Sequence, residues 1–165
     1  MITGDYYLKF PVGWIKLLRN ELHKSFPKYH KLKEWLPPVN EKSRIGKVAR
    51  FFPSRPQGIT IGGVINYTPI YPERKTEFFL KAGEPEAFLY EFGMYAHEAY
   101  HAVDQELTNS LSLCKLPLLS KYNRWLLTYI LRGIKTPNPY NHPMEYPAYT
   151  FQERLKLLAR STYEK

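Results

Sequence analysis

The chain has 165 residues, 44% of them apolar and 16% aromatic, which is enough to bury one core and argues against wholesale disorder. No apolar run approaches the roughly 20 residues that a membrane span needs, and the sequence opens without a secretory signal. The single cysteine, Cys114, cannot form an internal disulfide, so we expect one cytoplasmic domain without a membrane span.

The net charge of +9 is unevenly distributed along the chain. Residues 1–56 carry 12 Lys/Arg against 4 Asp/Glu, residues 57–114 carry 3 against 8, and residues 115–165 carry 9 against 3. Basic ends of this kind fit either an acidic partner, such as nucleic acid or anionic lipid, or an ordinary solvated surface. We favour the solvated surface, because no nucleic-acid-binding motif accompanies the charge.

The first half of the chain predicts a helix and then a small sheet. Between two prolines, Pro11 and Pro27, apolar residues recur at a spacing close to 3.6, which predicts an amphipathic helix. Residues 37–58 are rich in Pro, Lys and Arg and predict a loop with one short strand. The stretch GITIGGVINY, residues 58–67, predicts two strands joined at a Gly-Gly turn or bulge, and TEFFLKA, residues 76–82, predicts another strand.

The second half predicts three helices. Residues 84–107 have helical periodicity after an early proline, and residues 116–133 predict a second long helix that Gly133 ends. Residues 134–143 predict a loop before the last helix. One side of the second of these helices carries Leu118, Leu119, Tyr122, Trp125, Leu126, Tyr129 and Ile130, and the last helix carries Ala148, Phe151, Leu155 and Leu158. The order of elements predicts the α+β class.

The helix over residues 84–107 contains AHEAYHAVDQ, in which His97 and His101 lie four residues apart. At about 100° per residue both imidazoles project from one face, one turn apart, so two nitrogens can bind one tetrahedral metal ion. Six apolar residues fall on the opposite half of the helix: Phe88, Phe92, Tyr95, Ala99, Ala102 and Val103. The pattern therefore predicts a helix with a metal-binding face and a core face.

Two acidic residues accompany these histidines. In a zinc peptidase, a glutamate placed like Glu98 does not bind the metal but acts as general base, taking a proton from zinc-bound water. Asp104, three residues beyond His101, is too close along the helix to complete the tetrahedron, so we expect it to accept a hydrogen bond from a ligand imidazole. Gly93, one turn before His97, is either a packing glycine or space near the metal.

A third ligand must come from elsewhere in the chain. A histidine six residues after His101 would complete the short-spaced zinc pattern, but that position is Leu107. The downstream candidates are His142, Glu145 and Glu153, and their spacing alone leaves the choice open.

H-E-x-x-H on one helix, followed at a distance by Glu-x-x-Ala at the start of another, resembles the gluzincins, thermolysin-like zinc peptidases whose third ligand is a glutamate. The stretch EYPAYTF, which begins 44 residues after His101, also resembles the catalytic domain of anthrax lethal factor, and the chain is similar in size to the minimal gluzincins. The resemblance covers residues from about 76 to 158.

The resemblance implies a zinc metallopeptidase that hydrolyses peptide bonds in a peptide or protein substrate. It implies Zn2+ as the cofactor, with His97, His101 and Glu145 as ligands and Glu98 as the base. It also implies a tyrosine or histidine that donates to the tetrahedral oxyanion, for which Tyr140, five residues before the ligand glutamate, is the first candidate.

The chain departs from the gluzincin pattern at two positions. Tyr149 stands where thermolysin-like enzymes have an aspartate that supports a ligand histidine, so Asp104 has to supply that support. Pro147 follows Glu145 by two residues, and proline is tolerated only in the first turn of a helix. Glu145 must therefore lie at the very start of the final helix.

We thus expect a single zincin-like α+β domain over residues 1–165, with a catalytic core over residues 57–165. Residues 1–56 form a basic N-terminal extension that is either a supporting helix or a prosegment over the cleft, and we favour the supporting helix. An extended substrate would pair with an exposed strand edge, either that of residues 76–82 or that of the second strand within residues 58–67.

Other classes of protein remain as alternatives. A peptide deformylase would need a cysteine ligand upstream of the motif, whereas Cys114 lies downstream. A DNA-associated repair peptidase would suit the basic ends but would need His142 as a third histidine ligand. A catalytically inactive zincin-like protein that binds an acidic partner through its basic ends is the last alternative, and bound metal would distinguish it from an enzyme.

Overall fold

The computed structural model describes residues 2–29, 35–44, 47, 56–107, 121–136 and 138–163. Within them the chain forms five α-helices and one small mixed sheet, which confirms the predicted α+β class. The strands are β1 (Ile2–Thr3), β2 (Val39–Asn40), β3 (Gly58–Ile61) and β4 (Val64–Tyr67). The helices are α1 (Val12–Ser25), α2 (Ile70–Ala82), α3 (Glu84–Leu107), α4 (Lys121–Lys135) and α5 (Glu145–Tyr163).

The sheet has the strand order β1-β2-β4-β3, with β2 and β4 parallel and the two outer pairs antiparallel. β3 and β4 form the predicted hairpin. Its two turn residues, Gly62 and Gly63, have φ angles of 61° and 75°, the left-handed conformation that a two-residue hairpin turn requires and that glycine adopts without strain. Among the described residues no strand pairs with the other edge of β3, although the side-chain amide of Gln105 donates to the carbonyl of Thr60.

This topology corrects the strand edges that were predicted to receive a substrate. β4, the second strand of the hairpin, lies between β2 and β3 and is paired on both sides. Residues 76–82 are not a strand, because they belong to α2. In the described part of the chain, the open edge beside the predicted site is that of β3.

Residues 76–82 are helical because packing and local ion pairs outweigh their strand-forming side chains. Glu77 pairs with Lys81 one turn later, an arrangement that stabilises helices. Phe78 stacks on Tyr90 of α3, with ring centroids 4.9 Å apart. Gly83, with a φ of 84°, ends the helix. The pattern of this short apolar run is compatible with either a helix or a strand. Its tertiary contacts determine that it is a helix.

α1 supports the core through its aromatic and aliphatic side chains. The ring of Trp14 lies 4.9 Å from that of Phe92 and 5.5 Å from that of Phe88 on α3, and Leu18 and Leu22 are fully buried in the same cluster. The predicted amphipathic helix is therefore present. No described residue before position 56 lines the cleft over the candidate site.

α5 crosses α3 at Gly93. A Cβ atom added there would lie 2.8 Å from Cδ of Lys156 and 3.4 Å from Cγ of Gln152, so the absence of a side chain allows the two helices to approach closely. Of the two interpretations of Gly93, packing is the one that its contacts support. The crossing brings the first turn of α5 beside the middle of α3.

The ends of the last two helices differ from the prediction in one respect. α4 is described from Lys121 and runs to Lys135, while residues 116–120 lie outside the described residues. Gly133 does not end it, because the backbone N–H of Thr136 still donates to the carbonyl of Arg132, at 3.2 Å. α5 begins at Glu145, as Pro147 requires.

Within the described ranges, we find no helix both long and apolar enough to cross a bilayer.

Glu91 of α3 is a buried carboxylate away from the candidate site. It accepts a hydrogen bond from the Tyr6 hydroxyl at 2.7 Å and pairs with Lys9 and, at 2.5 Å, with Lys75. Burial alone would raise the pKa of Glu91, but the hydrogen bonds from Lys75, Lys9 and Tyr6 outweigh it and lower that pKa below its ordinary value. This group ties the N-terminal segment and α2 to α3.

We expect Glu91→Gln to lower the free energy of unfolding at pH 7 by about 2 kcal/mol, since charged hydrogen bonds are lost. Because the folded-state pKa is lowered, the stabilisation is present above the unfolded pKa of about 4.3 and is lost as the pH falls through the folded pKa. The difference between wild type and variant should therefore shrink in acid. Urea denaturation at pH 7 and below pH 4 measures it. Glu77→Gln, which removes an exposed pair, is the control and should change little; equal stability of Glu91→Gln and wild type at pH 7 would contradict the prediction.

Candidate metal centre

Three buried side chains converge at the crossing of α3 and α5: His97, His101 and Glu145. Oε2 of Glu145 lies 3.1 Å from Nε2 of His97, Oε1 lies 3.4 Å from Nε2 of His101, and the two Nε2 atoms are 3.2 Å apart. Neighbouring ligand atoms of a tetrahedral zinc site are about 3.3 Å apart, given bonds of roughly 2.0–2.1 Å. The group is therefore compact enough to hold one metal ion.

The two facing imidazole nitrogens favour a cation between them. If both rings were neutral and protonated on Nδ1, two lone pairs would oppose each other across 3.2 Å. Burial alone would lower the pKa of His101, but the charge and hydrogen bond of Glu145, with added charge from Glu98 and Asp104, raise it to about 9. Two imidazoles and one carboxylate are also the donor set that suits a divalent transition metal, so the residues fit such an ion.

Tyr129 of α4 holds Glu145 in place, its hydroxyl donating to Oε1 at 2.7 Å. His142 is used differently from a ligand, because its Nδ1 accepts from the backbone N–H of Met144 at 3.1 Å and its Nε2 donates to the carbonyl of Tyr129 at 3.0 Å. Both nitrogens of His142 are thus engaged outside the metal group. Of the three downstream candidates, Glu145 is the one that lies beside His97 and His101. His142 forms hydrogen bonds within the segment before α5 and to α4, and Glu153 is exposed.

Asp104 contacts the site through Trp125 of α4. The indole N–H of Trp125 donates to Asp104 Oδ2 at 2.7 Å, and the indole ring lies 5.7 Å from the ring of His101. The Nδ1 atoms of His97 and His101 have no hydrogen-bond partner among the described residues. The hydrogen bond predicted between a ligand imidazole and Asp104 is therefore not formed, and Asp104 acts on His101 through its charge.

Glu98 lies beside the three converging side chains and is held by β3. Thr60 donates its hydroxyl hydrogen bond to Glu98 Oε2 at 2.6 Å. Gly58, two residues earlier on the same face of the strand, leaves room for the carboxylate, since a Cβ atom there would lie 2.7 Å from Glu98 Oε1. Glu98 is 4% exposed yet lines the cleft, so the fold fixes its carboxylate at the wall of an accessible space.

A cleft of about 1550 Å³ lies between β3, α2 and the start of α5, and it is lined by Glu98 and by one of the three candidate ligands, His97. Tyr140 and Tyr149 line it with their rings 4.7 Å apart, and the ring of Tyr149 lies 4.6 Å from that of His97. Burial raises the pKa of Tyr149, so its phenol stays protonated. The cleft exceeds the roughly 300–1,000 Å³ of most small-molecule pockets and has room for a short stretch of extended chain.

Sequence reasoning missed three residues that position the site: Gly58, Thr60 and Tyr129. A signal for Gly58 and Thr60 was present in the sequence, because both lie on the face of β3 that packs against a helix. Large apolar side chains are the usual residues at such positions. Tyr129 carried no such signal, because it fell within the apolar side of its helix.

Comparison of the chain with protein-family models, with curated proteins and with solved structures gives no match. The family resemblance rests on the H-E-x-x-H and EYPAYTF stretches alone. The function is therefore inferred from the geometry of the site and the chemistry of its residues.

We expect the purified chain to take up about one divalent transition-metal ion, as the one cluster of ligand atoms found among the described residues implies. Glu145→Gln should weaken this binding by more than the roughly 10–100-fold typical of losing an outer partner, because a ligand charge is lost. Glu153→Gln, on the same helix but exposed, is the matched control and should bind like wild type. Elemental analysis after dialysis, with chelator competition for affinity, measures both. Wild-type affinity in Glu145→Gln would show that this carboxylate is not a ligand.

Tyr129→Phe should weaken metal affinity by about 10–100-fold, because it removes the hydroxyl that orients Glu145 while leaving every ligand atom present. Tyr146→Phe, at a position 62% exposed on the first turn of α5, is the control and should leave affinity unchanged. The same chelator competition reports both variants. If the two variants bind metal equally well, the hydrogen bond from Tyr129 has no orienting role.

Proposed function

We propose that the chain is a zinc-dependent metallopeptidase of the gluzincin type, with Zn2+ held by His97, His101 and Glu145. The observation that carries the proposal is a buried triangle of two imidazole nitrogens and one carboxylate oxygen, with a further carboxylate, Glu98, fixed beside it at the cleft wall. Three protein ligands leave a fourth position open, which is typical of catalytic rather than structural zinc sites.

The neighbouring residues suit hydrolysis. When bound, zinc supplies a Lewis acid that lowers the pKa of water and polarises a carbonyl. Glu98 acts as the general base, taking a proton from the attacking water and delivering it to the leaving amine. Thr60 occupies Oε2 of Glu98, which leaves Oε1 to carry that proton.

A donor to the developing oxyanion is also needed. Tyr140 is proposed for this role from the family pattern, and it lines the cleft with 63% of its side chain exposed. Tyr149 is a second candidate, because its ring lies against His97 and its raised pKa keeps the hydroxyl protonated.

An extended peptide is the substrate class that the cleft favours. β3 has no strand on its outer edge, and its Gly58 and Thr60 both contact Glu98. A peptide that paired with this edge would pass beside the base, and it would displace the Gln105 amide from the carbonyl of Thr60. Charged side chains of both signs line the cleft, which argues against selection by a single charge: Glu73, Arg74, Glu77, Lys81, Glu153 and Lys156.

Cleavage of a peptide library prepared from whole-cell protein tests the function directly. The zinc-loaded chain should create new peptide termini, detected by mass spectrometry, and a chelator should abolish them. Glu98→Gln should lower the rate by about 10²–10⁴-fold with unchanged zinc content, because it removes only the base. The proposal fails if zinc-loaded wild type creates no termini, or if Glu98→Gln creates them at the wild-type rate.

A pair of glycine variants separates misplacement of the base from its loss. Gly58→Ala forces Glu98 to move, because the new Cβ atom would lie 2.7 Å from its Oε1. A misplacement of the base by about 1 Å should cost about 10²-fold in rate. Gly13→Ala on α1 is the control, since its Cβ atom would have no neighbour within 4 Å. Equal rates for the two variants would contradict the placement of Glu98 by β3.

A further inference from the structure

Two stacked aromatic rings, Phe78 of α2 and Tyr90 of α3, lie in the wall of the cleft. Their centroids are 4.9 Å apart and their planes are inclined by 13°, and both residues line the cleft. Phe78 nevertheless keeps 36% of its surface exposed, because stacking on Tyr90 covers one face of its ring. This pair of residues, which leaves part of an aromatic ring open to the cleft, is called the aromatic platform.

Two contacts hold the aromatic platform in place. The hydroxyl of Tyr90 donates to the side-chain carbonyl of Gln57, the residue before β3. Lys75, three residues before Phe78, pairs with the buried Glu91 of α3 at 2.5 Å, which ties α2 to α3. A surface that is already fixed in this way binds a ligand without a large cost in lost side-chain freedom.

The charged residues around the aromatic platform do not favour a charged side chain. Those of α2 that line the cleft are two of each sign: Glu73, Arg74, Glu77 and Lys81. Glu77 pairs with Arg74 at 3.0 Å and with Lys81 at 2.6 Å, so both cations are already engaged. An aromatic side chain gains more on the platform than an aliphatic one, because stacked or edge-to-face rings attract each other beyond the apolar area that they bury.

We propose that the aromatic platform is a subsite of the cleft that receives an aromatic side chain of the peptide substrate. The inference rests on the proposed function, since it takes the occupant of the cleft to be a peptide. A ring placed on Phe78 extends the stack that Phe78 forms with Tyr90. The peptide would thus be selected by an uncharged side chain, which agrees with the balanced charges of this wall.

The aromatic platform lies at a distance from the bond that is cleaved. The cleft follows one side of α3, where Tyr90, Met94 and Glu98 line it. Tyr90 precedes Glu98 by eight residues, which is about 12 Å along a helix, and an extended peptide covers about 3.3–3.6 Å per residue. The aromatic residue should therefore stand about three or four residues from the cleaved bond and always on the same side of it.

Two readouts of one peptide library, prepared from whole-cell protein, test the proposal on the full chain. Zinc-loaded wild type should create new termini with an aromatic residue enriched about three or four positions away. Glu98→Gln, prepared in the same way and immobilised, lacks the base but keeps the aromatic platform. It should retain aromatic peptides about 2–10-fold better than synthetic copies with leucine in place of the aromatic residue.

Phe78→Leu should lose the aromatic preference in both readouts, because it keeps an apolar side chain but removes the ring on which the substrate stacks. Phe79→Leu is the matched control and should keep the preference, since Phe79 is 50% exposed on the same helix but does not line the cleft. Circular dichroism checks that the variants fold, and Phe78→Met takes the place of Phe78→Leu if the latter does not.

The outcomes distinguish the subsite from the proposed function. Selective retention of aromatic peptides by Glu98→Gln, without cleavage by wild type, would support the subsite and contradict the peptidase. Cleavage without aromatic enrichment at a fixed distance would overturn the subsite and leave the peptidase standing. The subsite is also overturned if Glu98→Gln retains aromatic and leucine peptides equally, if Phe78→Leu keeps the full preference, or if Phe79→Leu loses it to the same extent.

Discussion

The crossing of α3 and α5 at Gly93 determines where the third member of the metal group lies. Glu145 is the first residue of α5, and the carbonyl of His142 accepts the N–H groups of Glu145 and Tyr146, at 3.0 and 2.9 Å. If the sequence register of α5 shifted by one residue, the carboxylate would turn by about 100° around the helix axis, away from α3. The triangle of ligand atoms therefore depends on a helix contact and a loop ending, not on the motif alone.

Buried and half-buried carboxylates in this fold are held in two ways, and the difference has a functional consequence. In the site, Glu98, Asp104 and Glu145 each accept from a neutral donor, namely the hydroxyl of Thr60, the indole of Trp125 and the hydroxyl of Tyr129. Neutral donors fix the carboxylates without cancelling their charge. Glu91, by contrast, is paired with two lysines. The site thus retains negative charge, which raises the pKa of His101 and favours a bound cation.

Features that depend on residues close together in the sequence could be predicted, whereas contacts between residues far apart in the sequence could not. The α3 helix and its two faces followed from local periodicity, and the buried positions of Phe92, Tyr95 and Val103 agree with it. The choice between Glu145 and His142 needed a loop whose course no local pattern describes. Asp104 was expected to accept a hydrogen bond from a ligand imidazole, but it accepts one from Trp125, on a helix whose rotation was not predictable.

The rotation of α4 about its axis follows from the hydrogen-bond partners that its aromatic side chains require when they are buried. The apolar side predicted for this helix mixes aromatic with aliphatic residues and is too wide to be covered by one neighbour. An indole N–H or a phenol needs a polar partner in the interior, whereas an aliphatic side chain needs none. Turning Trp125 and Tyr129 inward satisfies both donors on Asp104 and Glu145, and it leaves Leu126 and Ile130 facing outward. The same rotation that completes the surroundings of the metal group therefore creates the exposed aliphatic face.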